Sequence, residues 1–370
     1  MPDTKPGIRL DKDGICQACI HHQQRKNVNW DSRFDELVKL CNKYRKVGEY
    51  DCLIPVSGGK DSYYQVYVLK ELLQMNPLLV SVSDPFTHTK TGEENLQNLR
   101  ERYSCDLIQL HLNQSLVRKM CRLAFEKFGS PTWPIDRAIY AYPIRTAIEK
   151  KIPLVVYGEN INYEYGGAQE KETPSALDQI NNDVAKNIDF SLWIKNGIFS
   201  NELVPFKYPT KREIKKAKLN PVYLSYFLPW SGRENYLHAK ECGFKPLGKE
   251  WIREGYIEDY DQVDSIGYLF NAWMKYPKFG FQRVTDVCGY WIRDGVISKE
   301  KAAKLIKQHD YKLDKRMWKD FISFCEYTPE EAWKIVKKHD KGFLKEKTDV
   351  TRKEVPMHNT SERRLYRRKR

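Results

Sequence analysis

Residues 55–62 read PVSGGKDS. They follow a short apolar run, Cys52-Leu53-Ile54, and precede a stretch, Tyr63 to Leu73, in which Val66, Leu69, Leu72 and Leu73 fall at helical spacing. The pattern predicts strand, glycine turn, helix. A helix that opens on a glycine loop carries unpaired backbone N–H groups in its first turn, and its dipole adds positive potential there. Gly58 and Gly59 let the backbone approach an anion closely. Ser57 and Ser62 add hydroxyl donors, and Lys60 adds a charge. The run from Ser57 through Gly58, Gly59, Lys60 and Asp61 to Ser62 therefore predicts a phosphate site. The bland alternative is a helix start capped by Ser57 or Asp61. A Walker loop is excluded, because the position where it needs its first glycine is Ile54.

Outward from this loop, strands and helices alternate. Strands are expected at 52–57, 78–83, 107–110 and 153–157, with helices at 31–47, 62–75, 92–103, 115–128 and 137–150. Such alternation implies an α/β fold, a parallel sheet with helices on both faces. Ligands of such sheets sit beyond the carboxyl ends of the strands. Ser57, Asp84 and Glu159 all fall at such ends and are expected to share one cleft. Residues 168–210 read as a polar insertion near its mouth, and 211–344 as mainly helical.

The chain has 370 residues, 41% of them hydrophobic and 13% aromatic, enough for a substantial core. It lacks a run of about eighteen apolar residues, so no membrane-spanning helix is expected. MPDTKPGIRLDKDG has no apolar segment, so no secretory signal is expected. Nine scattered cysteines suit a reducing, cytoplasmic compartment better than a disulfide framework. The net charge of +14 is uneven: Lys345 to Arg370 holds ten basic and four acidic residues, leaving only +8 for the rest. That basic tail reads as solvated chain, and nucleic-acid binding is not expected of it.

SGGKDS resembles the SGGxDS signature of the PP-loop ATP pyrophosphatases, which hold the β,γ-pyrophosphate in the loop and split ATP between the α and β phosphates. Two further stretches narrow the resemblance. IPLVVYGENINYEYGG, residues 152–167, is one. The other runs from PVYLSYFLPWSGRENYLHAKECGF through FGFQRVTDVCGYWIRDGVISKEKA. With the CxxC-then-NWDSRFDEL start, they resemble the N-acetyl sugar amidotransferases of bacterial surface-polysaccharide (lipopolysaccharide, O-antigen) synthesis, over about residues 10 to 310. The resemblance implies conversion of an acetamido to an acetamidino group with ATP, Mg²⁺ and ammonia. It divides the chain into a CxxC segment and helix (1–47), an ATP-binding α/β domain (48–167), the insertion (168–210), the helical region (211–344) and the tail (345–370). In this reading Asp61, Glu159 and Glu164 are the catalytic candidates. Asp61 orients loop or metal, and the two glutamates bind Mg²⁺ or take a proton from ammonia. Asp84 follows the second strand, where the superfamily places adenosine. Surface carboxylates and simple turns are the bland readings of Glu159, Glu164 and Gly166-Gly167.

No glutaminase nucleophile is recognisable: the chain opens Met1-Pro2, and no cysteine has G-x-C-x-G neighbours. The resemblance implies a separate glutaminase with an ammonia-delivering synthase subunit. Cys16 and Cys19 have zinc spacing but make half a site; His238 with Cys242, or His21 and His22, could complete a structural Zn²⁺ site. Redox chemistry is not expected, because the pair does not read as opening a helix after a strand. The runner-up function is a PP-loop enzyme that modifies tRNA by thiolation or lysidine formation.

Overall fold

The computed structural model describes residues 1–45, 49–167, 172–179, 189–345 and 348. Helices α1 (Gln17–Arg25) and α2 (Trp30–Tyr44) precede β1 (Cys52–Pro55), α3 (Lys60–Val66), β2 (Pro77–Ser83), α4 (Lys90–Arg102), β3 (Asp106–His111), α5 (Gln114–Phe128), α6 (Trp133–Glu149) and β4 (Leu154–Tyr157). Then come α7 (Ile161–Glu164), β5 (Asn220–Tyr223), α8 (Gly232–Glu241), α9 (Arg283–Arg293), α10 (Lys299–His309), α11 (Lys315–Phe324) and α12 (Pro329–His339), with shorter helical turns between.

Side chains of a strand point alternately to the two faces of its sheet, and in the central strands both faces are buried. Cys52 and Ile54 of β1, Leu79 of β2, and Leu154 and Val156 of β4 join one apolar cluster. Leu53, Leu78, Val80, Val155 and Tyr157 join another. A sheet covered on both sides is the parallel α/β arrangement, and the strands pair in parallel in the order β3-β2-β1-β4-β5. The chain grows outward from β1 in one direction and from β4 in the other. The order therefore reverses between β1 and β4, and a crevice opens beyond their carboxyl ends.

The expected α/β class is the observed one, with differences at element ends. β1 stops at Pro55, although the Val56 N–H still donates to the Val80 carbonyl at 2.9 Å. The first helix after the loop begins at Lys60 and continues from Tyr67 to Leu72 as a π-helix. α6 begins at Trp133, with Pro134 where a helix tolerates proline, and keeps Pro143 inside it. β5 lies in the stretch expected to be helical. It is four residues long and contains a proline, which suits its place at the sheet edge.

The helical region does not stand apart. Phe321 of α11 and Phe270 pack against Phe125 of α5 at 5.3 and 5.6 Å between ring centroids, inside the larger apolar cluster. Within the expected insertion, Trp193 stacks on Trp133 at 4.8 Å. Apart from Lys345 and Thr348, the basic tail lies outside the described residues. No helix among the described residues is long and apolar enough to cross a membrane.

Candidate functional site

The loop between β1 and α3 is held in shape by its own hydroxyls. The Ser57 N–H donates to Ser62 Oγ at 3.1 Å, and the Gly59 N–H to Ser57 Oγ at 3.3 Å. Gly58 has φ +81°, and a Cβ there would come within 2.8 Å of the Leu96 backbone nitrogen. Only glycine fits, on conformation and on space. Gly59 is extended and caps α3, so the first turn of that helix opens toward the crevice.

Lys60 is buried in an ion-pair chain. Its Nζ lies 2.7 Å from Asp61 Oδ2 and also pairs with Asp261, which in turn pairs with Arg283 of α9. Burial alone would lower the lysine pKa, but the two carboxylates outweigh it and hold the ammonium charged. Burial likewise opposes the Asp261 carboxylate, yet Lys60 and Arg283 keep it ionised far below the ordinary range. The other oxygen of Asp61 accepts from Asn235 Nδ2 of α8 at 2.7 Å. The loop is thus gripped by two side chains from the region after β5.

Glu159, two residues past β4, lines the same cleft. Burial, then the nearby Asp61 charge, raises its pKa to about 7. Among the described residues no cation or side-chain donor is bonded to it; its carboxyl takes a hydrogen bond from its own backbone N–H and lines the cleft. Gly158 before it allows Trp230 to close in, since a Cβ there would meet the indole at 3.0 Å.

Glu164 is placed differently. Both of its oxygens accept from Arg25 Nη1, at 2.8 and 2.7 Å, and Glu172 also bonds Arg25 and Arg33. Its carboxylate anchors α1 to α7. Asp84 lines the cleft, but its Oδ1 accepts from the Phe86 N–H at 2.9 Å and from Ser265 Oγ at 3.0 Å. Burial raises its pKa to about 6, with the His88 charge working against that. So Ser57, Lys60, Asp61, Ser62, Asp84, Glu159 and, through its Arg25-bound carboxylate, Glu164 share one cleft of about 1330 Å³. Such a volume exceeds the 300–1,000 Å³ or so typical of a site for one small ligand.

The thiol pair requires a correction. Cys16 is the N-cap of α1, so the CxxC does open a helix, and Leu10 and Cys16 form an isolated β-bridge before it. The sulfurs lie 3.6 Å apart, and the Cys19 hydrogen bond lowers the Cys16 pKa to about 4 while Cys19 is pushed up. The proposed completions are elsewhere. His238 and Cys242 contact each other at 3.5 Å, with His238 set against Tyr64 and Tyr67. His21 is spent on the Tyr163 carbonyl at 2.9 Å and stacks on that ring. No group of three His, Cys, Asp or Glu residues that could hold a metal exists among the described residues, so two thiols alone do not fit a structural zinc site.

Asn235, Asp261, Arg283, Trp230 and Arg293 were not singled out from the sequence, although all five lie in the second stretch that carries the resemblance. Residues 254–355 match the family model described as LPS biosynthesis protein WbpG-like, C-terminal domain. An uncharacterized protein of Methanocaldococcus jannaschii is 23% identical over 311 residues, covering 82% of this chain and 90% of the relative. Among solved structures, the NH3-dependent NAD synthetase from Campylobacter jejuni is similar at 13% identity and TM-score 0.33, over 82% of this chain and 98% of that one. The U34-tRNA thiolase NcsA from Methanococcus maripaludis is similar at 13% identity and TM-score 0.33, over 76% and 82%.

Proposed function

We propose that this chain is an ATP-dependent amidotransferase that forms AMP and pyrophosphate while converting the acetamido group of an N-acetylated sugar to an acetamidino group, in the synthesis of lipopolysaccharide or a related surface glycan. The observation that carries the reading is the Ser57–Ser62 loop sharing one cleft with Glu159, whose carboxyl has no side-chain partner among the described residues, at the point where the strand order reverses. The match of residues 254–355 to a lipopolysaccharide-biosynthesis family supports the pathway class.

An amide carbon is a poor electrophile and its oxygen a poor leaving group. Attack of the acetamido oxygen on the α-phosphorus forms an O–P bond, breaks the bond to the β-phosphate and releases pyrophosphate into the loop. The loop's N–H groups, Ser57, Ser62 and Lys60 meet that departing charge. Ammonia then attacks the activated carbon, AMP leaves with the amide oxygen, and the surplus proton passes to Glu159. A carboxyl with a pKa of about 7 is suited to that transfer near neutral pH. The carboxylates of Asp61 and Glu159 suit Mg²⁺, a hard cation that prefers oxygen ligands and would offset phosphate charge. Glu164 is a positioning residue in this scheme.

Ammonia comes from a separate glutaminase with an ammonia-delivering synthase subunit. Burial pushes the thiols of Cys41, Cys52, Cys105, Cys121, Cys288 and Cys325 up, which suits packing and not glutamine hydrolysis. No described cysteine lines the cleft, which disfavours a thiolating enzyme.

The test is isotopic. With heavy oxygen in the acetamido group, ammonium salts and ATP, the label is expected in AMP. Label in inorganic phosphate with ADP formed, or label kept in the sugar while AMP appears, would overturn the reading. The second result would favour another acceptor, tRNA first.

A further inference from the structure

Much of the positive charge outside the tail is gathered in one place, away from the cleft. Positions 149–151 and 211–218 hold seven basic and two acidic residues, an excess of five out of the +8 that the chain carries before Lys345. The fold brings the two stretches together. β4 and β5 are parallel neighbours with Leu154 paired to Asn220, and the Asn220 N–H donates to the Pro153 carbonyl at 2.7 Å. The residues that lead into the two strands therefore come side by side: Lys150 and Lys151 before β4, Lys215, Lys216 and Lys218 before β5. Arg145 of α6 ties in the short helix Lys211–Lys216. Its Nε donates to the Lys207 carbonyl at 2.6 Å, and the Glu213 carboxyl, held low by its hydrogen bonds with Thr210, also feels the Arg145 charge.

These cations are not spent. Lys150, Lys211, Arg212, Lys215, Lys216 and Lys218 are exposed, and among the described residues none of them forms an ion pair. Glu213 is turned to its own cap, accepting from the Thr210 N–H at 2.7 Å. An aromatic side chain borders the corner. Lys207 Nζ donates to Ser200 Oγ at 3.0 Å, which brings the neighbouring Phe199 beside it, and Phe199 is 73% exposed. Val204, whose carbonyl accepts from the Lys207 N–H, is exposed as well.

The corner lies at the opposite edge of the sheet from the cleft. Glu159 follows the carboxyl end of β4, whereas the basic residues stand where β4 and β5 begin, and none of them lines the cleft. The charge is confined to this half of the edge, since Asp51 and Asp106 stand at the starts of β1 and β3. Exposed lysines on flexible stems make no cradle for a small anion; they complement an extended negative surface. A basic cluster with an apolar side chain at its border is the pair of signals that holds a protein at an anionic bilayer. A nucleic acid would use the charge and leave Val204 without a role.

We propose that the starting edge of β4 and β5 is a docking surface for an anionic phospholipid membrane. The six unpaired cations lie over the headgroups, and Phe199 enters the boundary between headgroups and acyl chains. The attachment is peripheral, and it leaves the cleft facing away from the lipid and open to solvent. This inference does not rest on the amidotransferase reading.

The experiment is co-sedimentation of the full chain with vesicles of phosphatidylcholine alone, or of phosphatidylcholine with phosphatidylglycerol at about 3:1. Binding is expected to the second vesicles only, and it should weaken at least about tenfold when salt is raised from about 0.1 to 0.5 M. Each basic residue near such a surface strengthens binding about fivefold. Lys211→Gln, Lys215→Gln and Lys216→Gln together should therefore weaken it about a hundredfold. Phe199→Ser should weaken it about tenfold and leave the salt dependence in place. Melting temperatures should match wild type, because the replaced side chains are exposed. Binding that survives the triple substitution belongs to the tail at 345–370 and overturns the proposal, as does equal binding to both kinds of vesicle. Indifference to Phe199→Ser overturns the insertion. Filter binding of tRNA by the same proteins is the last arm: tRNA binding that is lost in the triple variant, with no binding to either vesicle, overturns the proposal in favour of nucleic acid.

Discussion

Across the cleft, the Ser57–Ser62 loop faces side chains from residues 235–294, and the two sides present polarity in opposite ways. The loop side offers backbone N–H groups and hydroxyls on a turn that only glycine can make. The facing side offers side chains in pairs: Asp261 with Lys60 and Arg283, Asn235 with Asp61, and Arg293 on Tyr290. A backbone site depends on conformation and tolerates little change. A side-chain site depends on charge balance and can be altered one partner at a time.

The harshest way to break that contrast is Gly58→Ala. A Cβ at φ +81° costs about 1–2 kcal/mol from conformation alone, and the contact with the Leu96 backbone adds to it. Exchange of pyrophosphate into ATP should fall by at least about a hundredfold, with a lower melting temperature. Near-normal exchange in Gly58→Ala would mean that the loop does not meet the phosphates.

Next is Glu159→Gln, which should lower amidine formation by about a hundredfold or more while leaving the fold intact. Its stability signature is independent of catalysis. The folded pKa of Glu159 is raised to about 7, so between its ordinary value and about 7 the folded state holds a proton that the unfolded chain has released. Stability therefore falls as pH rises through that window. Glu159→Gln should flatten that slope in chemical denaturation series from pH 4 to 8. A slope unchanged by the substitution would show that the carboxyl is not held protonated.

Asp261→Asn sharpens the contrast from the facing side. It leaves Lys60 with Asp61 alone and Arg283 without its carboxylate, so a loss of about 3 kcal/mol is expected in urea titration. The Asp261 contribution has the opposite sign to that of Glu159. Its pKa is depressed, so its stabilisation is complete above the ordinary carboxylate range and is lost as pH falls below it. The wild type and Asp261→Asn curves should therefore converge toward strong acid.

The smallest catalytic effect is expected of Glu164→Gln. Its partner is Arg25 on α1, so turnover should change by less than about fivefold while stability drops by about 1–3 kcal/mol. A hundredfold loss of turnover with an unchanged melting temperature would move Glu164 from anchor to reactant.

The loop side was legible because its signal is local. Glycines, hydroxyls and a lysine between an apolar run and a helical one are read from eight consecutive residues, and Glu159 follows from the rule about strand ends. The facing side was not legible. Asp261 pairs with Lys60 across about two hundred positions, and nothing in DYDQVDS marks one aspartate over its neighbours. Glu159 and Glu164 both read as catalytic candidates, and nothing in the sequence showed that Arg25, brought over by α1, would pair with Glu164. β5 escaped because a four-residue strand containing proline carries too little periodicity to compete with the helical pattern around it. The CxxC was misjudged because α1 begins on Gln17-Ala18, without an apolar stripe long enough to announce a helix.

The Lys60–Asp261 pair has one more consequence. The loop's lysine rests against an internal counter-ion, so under the proposed function a triphosphate would exchange partners with Asp261 before engaging that lysine. Binding is then a substitution reaction inside the protein, and small anions that cannot also occupy the α3 amides are outcompeted by the resident carboxylate. The displaced Asp261 would keep Arg283, so filling the loop would shift charge toward α9. On that reading, occupancy of the loop would be felt on the opposite side of the cleft through this chain of charges.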